Sequence, residues 1–137
     1  MTCWPRNDLA ATGAGYYGTI MTAPSNILII EDEPLIAMML EDFLDVLGKT
    51  MAGTADNVAD ALVLIEAGGI DAAILDVNLR AGEKSWPIAD ALTARGIPYI
   101  FATGGSADSL AEAYRDRPTL PKPFTMDAVS KALDSLA

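Results

Sequence analysis

The sequence predicts an α/β fold: a doubly wound parallel sheet of five strands alternating with five helices. Three observations predict it. Short unbroken apolar runs, such as Ile27-Leu28-Ile29-Ile30, have the length and composition of strands buried on both faces. Segments with apolar residues at helical spacing alternate with those runs, as right-handed crossovers between parallel strands require. Glycine or proline punctuates most junctions.

The elements follow in order. Residues 26–31 form the first strand, an apolar run that ends in acid. Pro34 stands where the first turn of a helix tolerates proline. Ile36, Met39, Leu40, Phe43, Leu44 and Leu47 then recur at helical spacing, and Gly48 ends the helix. Residues 50–54 are a short second strand. Asp56 or Asn57 caps a helix carrying Val58, Ala61, Leu62 and Ile65, which Gly68-Gly69 stops. Residues 70–75 are the third strand, ending at Asp76, and a loop from Val77 to Ser85 leads into a helix over 86–95. Gly96 stops that helix, and residues 98–102 form the fourth strand, ending at Thr103 and followed by Gly104-Gly105. Ser106 or Asp108 caps a helix through Leu110 and Tyr114. Residues 119–120 are a brief strand before Pro121-Lys122-Pro123, and Thr125 caps a last helix with Met126, Val129, Leu133 and Leu136.

Composition narrows the function. At 137 residues the chain fits one ordinary domain that needs no staples to fold. Its single cysteine, Cys3, excludes an internal disulfide, and the absence of histidine excludes His-based catalysis and His metal ligands. Nine basic against nineteen acidic residues give a net charge of −10, which repels phosphate backbones, so no nucleic-acid partner is expected. No apolar run approaches the ~20 residues that cross a bilayer, and the N-terminus has no signal-peptide pattern. No membrane partner is expected, and the expected location is the cytoplasm. Residues 1–25 are Gly-rich and without period, and read as a flexible tail ahead of a domain over 26–137. Met21, just before the first patterned segment, is an alternative start of translation. Gly13-x-Gly15 follows no strand and opens no helix, so it carries no nucleotide loop.

In a doubly wound sheet, ligands sit at the carboxyl ends of the strands. Glu31 and Asp32 follow the first strand, Asp76 the third, Thr103 the fourth and Lys122 the fifth. Singly, each has a plainer explanation: helix-terminal charge, a strand terminator, a turn residue, a solvated lysine. Together they fall on one rim. Three carboxylates in one cleft repel one another, and a hard cation such as Mg²⁺, which takes oxygen ligands, relieves that repulsion. One carboxylate oxygen is then free to attack phosphorus, while a threonine hydroxyl and a lysine ammonium hold phosphoryl oxygens. The set suits in-line phosphoryl transfer to an aspartate.

At this point the chain resembles the response-regulator receiver domain of two-component signalling. The matching pieces are Ile29-Ile30-Glu31-Asp32-Glu33, Leu75-Asp76-Val77-Asn78-Leu79, Phe101-Ala102-Thr103-Gly104 and Pro121-Lys122-Pro123-Phe124, spread over residues 26–137. The resemblance implies a flavodoxin-like sheet in strand order 2-1-3-4-5, as in other CheY-like domains. It also implies that Asp76 is the phospho-acceptor and that Mg²⁺ is held by Glu31, Asp32, Asp76 and the backbone carbonyl of Asn78. Thr103 and Lys122 would sense the phosphoryl group, Lys122-Pro123 would be a cis peptide, and Gly104, Gly105 and Ser106 would form the switch loop. The donor would be a histidine kinase or a histidine phosphotransfer protein, and the signal would leave through an unknown downstream protein.

Phe101-Ala102-Thr103-Gly104-Gly105 looks like the alphaproteobacterial subgroup with the signature Phe-Ala-Thr-Gly-x-Tyr. Ser106 stands where that signature has tyrosine, and Thr119 occupies the place of the usual switch aromatic. Tyr99, Phe101 and Tyr114 are read as core or helix packing. The expectation is therefore a single-domain regulator, not a turnover enzyme, that acts by protein contact or in a phosphorelay. Two alternatives stand beside it. An unphosphorylated receiver-like binding module would lack the acceptor or the lysine. A haloacid-dehalogenase-like phosphatase would place its nucleophile after the first strand.

Overall fold

A computed structural model describes residues 25–103 and 118–136. The element order is β1 (Asn26–Ile30), α1 (Pro34–Val46), β2 (Thr50–Ala55), α2 (Val58–Ala67), β3 (Ala72–Asp76), a 3₁₀ turn (Arg80–Gly82), α3 (Trp86–Ala94), β4 (Tyr99–Thr103), β5 (Thr119–Pro121) and α4 (Met126–Asp134). The five strands are parallel and lie in the order β2-β1-β3-β4-β5, as the sequence predicts. Four of the five expected helices are among the described residues. The helix capped by Ser106 or Asp108, Gly104, Gly105 and Ser106 of the switch loop, Tyr114, and all of the expected tail except Ser25 lie outside them.

Alternation along the strands builds two cores, one on each face of the sheet. Leu28, Ile30, Ala73, Leu75, Tyr99 and Phe101 point to the face covered by α2 and α3. Ile27, Ile29, Ala72, Ile74, Ile100 and Ala102 point to the face covered by α1 and α4. Because side chains alternate with period two, every residue of β3 and β4 is buried.

Several element boundaries differ from the expectation. The third strand begins at Ala72 rather than residue 70, because the Asp71 carboxylate caps the entry to β1, accepting from the Asn26 N–H at 2.9 Å. The second helix buries Ala61 and Ile65 but leaves Leu62 exposed. Leu64 turns inward in its place, where the missing side chain of Gly53 admits it: a Cβ on Gly53 would lie 3.2 Å from Leu64 Cδ1.

Asn57, not Asp56, is the N-cap of α2; its Oδ1 accepts from the Asp60 N–H at 2.9 Å. Asn57→Ala is expected to lower stability by about 1 kcal/mol, read as a lower midpoint at unchanged slope in urea unfolding. Thr125 caps α4 in the same way, accepting from the Ala128 N–H at 3.1 Å.

The segment from Val77 to Ser85 is more ordered than a plain loop. Val77 and Leu79 are buried in the α2–α3 core while Asn78 faces out. The chain turns back through Ala81 and Gly82, both at positive φ. An antiparallel bridge then pairs Asn78 with Lys84, with the Leu79 N–H donating to the Glu83 carbonyl at 2.7 Å.

Candidate phospho-acceptor site

The strand order reverses its direction of growth between β1 and β3, so a crevice opens at their carboxyl ends. Glu31 continues the alternation of Ile27 and Ile29, and Asp76 that of Ala72 and Ile74, which puts both carboxylates on the same side of the sheet at the same end. Glu31 and Asp76 are buried and Asp32 is half-buried. Each of the three offers a carboxylate oxygen within 4.8 Å of the others.

Lys122 reaches this cluster from the end of β5. Its backbone N–H donates to the Thr103 carbonyl at 3.0 Å, tying the ends of β4 and β5 together. The peptide bond to Pro123 is cis, and Phe124 is buried in the α1–α4 core. The ammonium lies 3.1 Å from Asp76 Oδ2 and 3.3 Å from Glu31 Oε1. Thr103 is buried at the carboxyl end of β4, on the same rim.

Glu31 is held against its ordinary ionisation. Burial, followed by the charge of Asp76, pushes its carboxyl from 4.5 up to about 7, against the Glu33 N–H and the Lys122 ammonium, which favour the ionised form. For Lys122, burial favours the neutral amine but is outweighed by the hydrogen bond its ammonium donates to Asp76 and by the charges of Asp76 and Glu31, so its pKa rises. One ammonium against two buried carboxylates leaves the cluster short of positive charge. An all-oxygen donor set of this kind fits a hard divalent cation.

A protein-family model, "Response regulator receiver domain", matches residues 27–134. The chain belongs to the response-regulator receiver family. The solution structure of SdrG from Sphingomonas melonis Fr1 is 69% identical, with a TM-score of 0.76, over 85% of this chain and 98% of that one. The anti-anti-sigma factor PhyR from Bartonella quintana is 33% identical, with a TM-score of 0.71, over 85% of this chain and 47% of PhyR. The phyllosphere-induced regulator PhyR of Methylorubrum extorquens is 37% identical over 81 residues, which is 58% of this chain and 30% of that protein. The chain thus spans under a third of this curated relative. Both buried acids pair with Lys122, Glu31 directly after β1 and Asp76 at the end of β3.

The rim residues named from sequence come together: Lys122 is in ion-pair range of Glu31 and Asp76, Asp32 offers an oxygen within 4.8 Å of both carboxylates, and Thr103 joins them through the backbone of Lys122. Asn78 stands two residues beyond Asp76 on the exposed side of the chain. Tyr99 and Phe101 are buried, and Phe101 makes edge-on ring contacts with Tyr99 at 5.4 Å and with Trp86 at 5.5 Å, as core packing requires. Thr119 pairs with Phe101 on the short edge strand and is exposed.

One residue beside the site escaped the sequence reading. The Lys84 ammonium donates to Asn78 Oδ1. The signal that could have found it is the period-two pattern Val77, Asn78, Leu79 followed by Gly82, which reads as one arm of a tight hairpin returning Lys84 to Asn78.

Proposed function

We propose that this receiver domain takes a phosphoryl group from a phosphohistidine onto Asp76 and passes the signal on through protein contact. The observation that carries the reading is the ammonium of Lys122 at 3.1 Å from Asp76 Oδ2, inside a cluster of three carboxylates. Glu31, Asp32, Asp76 and the Asn78 carbonyl are the oxygens that would hold Mg²⁺, which when bound neutralises the crowded carboxylates and the phosphoryl oxygens.

The chain's own residues do the rest. A carboxylate oxygen of Asp76 attacks phosphorus in line with the donor imidazole nitrogen. The P–N bond breaks, and its electron pair stays on the imidazole, which takes up a proton. Lys122, already on Asp76, pairs with a phosphoryl oxygen as charge moves onto the aspartate, and the Thr103 hydroxyl donates to another. The acyl phosphate adds roughly −1.5 to −2 charges. Drawing Thr103 and Lys122 toward it moves the joined ends of β4 and β5, and with them the surface a partner reads.

The donor is a histidine kinase or a phosphotransfer protein, and the partner downstream is a protein. One relative is named an anti-anti-sigma factor, and a partner of that regulatory class is a candidate here. No turnover of a small substrate is part of this role.

The test is transfer from a phosphorylated histidine donor to the purified chain. The expected result is one Mg²⁺-dependent acyl phosphate mapped to Asp76. A chain that binds its partner equally well, without phosphoryl uptake from any donor, would instead be the unphosphorylated module.

A further inference from the structure

We infer that Lys84 is a positioning residue that sets the lifetime of the phosphoryl group, by holding the side-chain carbonyl of Asn78 away from attacking water. This rests on Asp76 as acceptor and adds a residue that the acceptor chemistry does not itself require.

The hairpin after β3 fixes Lys84 in place. Val77 and Leu79 are buried in the core, so the alternation of the chain turns Asn78 outward on the Asp76 side. On the returning arm Glu83 and Lys84 point to opposite sides. Glu83 Oε1 accepts from the Val58 N–H at the start of α2, at 2.9 Å. Arg80 pairs with Asp56 Oδ1 at 2.8 Å, a second tether to the same end of α2. With its neighbour pinned to α2, the Lys84 ammonium falls on Asn78 Oδ1. Lys84 is exposed, and no core packing depends on it.

Hydrolysis of the acyl phosphate needs a water in line with the acyl oxygen. The water oxygen forms a new bond to phosphorus, and the bond from phosphorus to the Asp76 oxygen breaks. The electron pair returns to the carboxylate, and the water's proton leaves with inorganic phosphate. A nearby amide carbonyl can accept a hydrogen bond from that water and align it. Asn78 has one such oxygen, and the Lys84 ammonium takes one of its two lone pairs and so fixes the direction in which it points. The amide N–H groups cannot accept, so an oxygen held toward Lys84 is not aimed at the water. Freeing the oxygen therefore shortens the lifetime.

The experiment phosphorylates the wild type, Lys84→Met, Lys84→Arg, Asn78→Ala and the double variant N78A/K84M with phosphoramidate and Mg²⁺, then follows loss of the acyl phosphate after donor removal. Lys84→Met is expected to hydrolyse about fivefold faster, the rate equivalent of one ordinary hydrogen bond. Lys84→Arg is expected to restore the slow rate. Introducing Lys84→Met into Asn78→Ala is expected to change nothing further. In the unphosphorylated, metal-free protein, the Asn78 side-chain amide resonances should shift in Lys84→Met and return in Lys84→Arg. A wild-type lifetime in Lys84→Met, or the same acceleration in the Asn78→Ala background, overturns the inference while leaving Asp76 as acceptor. A wild type that takes no phosphoryl group on Asp76 overturns both.

Discussion

Asp76→Asn is expected to abolish phosphoryl uptake, with a fall in rate on the order of a thousandfold or more, as when a nucleophile is removed. The amide has nearly the same shape, so β3 keeps its place in the sheet, but its nitrogen and oxygen do not attack phosphorus. The cluster also changes. Lys122 loses the charge at 3.1 Å and keeps Glu31 at 3.3 Å. Glu31 remains buried but loses the charge of Asp76, the second cause of its raised pKa, so its pKa should fall below the wild-type value of about 7. Intact-mass measurement after phosphotransfer reads the first effect, and side-chain carboxyl shifts across a pH titration read the second. Uptake by Asp76→Asn at the wild-type level, mapped to another residue, would remove Asp76 from the acceptor role.

Metal-free stability is expected to fall as pH rises from about 4.5 to about 7, through Glu31. Its folded pKa of about 7 stands above its ordinary value of 4.5, so in that window the native state holds a proton that the unfolded chain has released. The native state binds more protons, and stability declines with rising pH. The full effect is roughly 3 kcal/mol at the usual value of a pKa unit. Lys122 contributes in a separate range: its raised pKa stabilises the fold below the ordinary 10.5 and is lost only as pH rises through the higher folded value.

Other carboxylates titrate with Glu31, so the difference between the wild type and Glu31→Gln isolates it. Urea unfolding between pH 4.5 and 8 should show the decline in the wild type and a flatter profile in the variant. Added Mg²⁺ should stabilise the wild type increasingly toward pH 7, because the carboxyl must lose its proton to act as a ligand, and should stabilise Glu31→Gln much less. Parallel profiles for the two proteins would show that Glu31 keeps its ordinary pKa.

The two kinds of information separate along physical lines. A strand buried on both faces must be apolar throughout, so β1, β3 and β4 were visible as runs, and Glu31, Asp76 and Thr103 as the polar residues that end them. Pro34, Gly48, the Asp56-Asn57 pair and Thr125 marked helix ends through local backbone chemistry. From those elements the rim followed, because parallel strands joined by helices bring their carboxyl ends to one side. Thr125 could be named as a cap in advance, whereas Asp56 and Asn57 could not be told apart, since either side chain accepts from a helix N–H.

Local rules carry no information about side chains that meet across tens of residues. Glu83 on the first N–H of α2, Arg80 on Asp56, and Leu64 rather than Leu62 facing the sheet all depend on how finished elements pack. The pKa of Glu31 does too, since it follows from burial and from an aspartate on another strand. Residue order alone was enough to bring the acids, Thr103 and Lys122 to one rim, because each lies at or just beyond the end of a strand. The tethers that fix the hairpin after β3, Glu83 on Val58 and Arg80 on Asp56, were decided in three dimensions, because they exist only once the hairpin has packed against the start of α2.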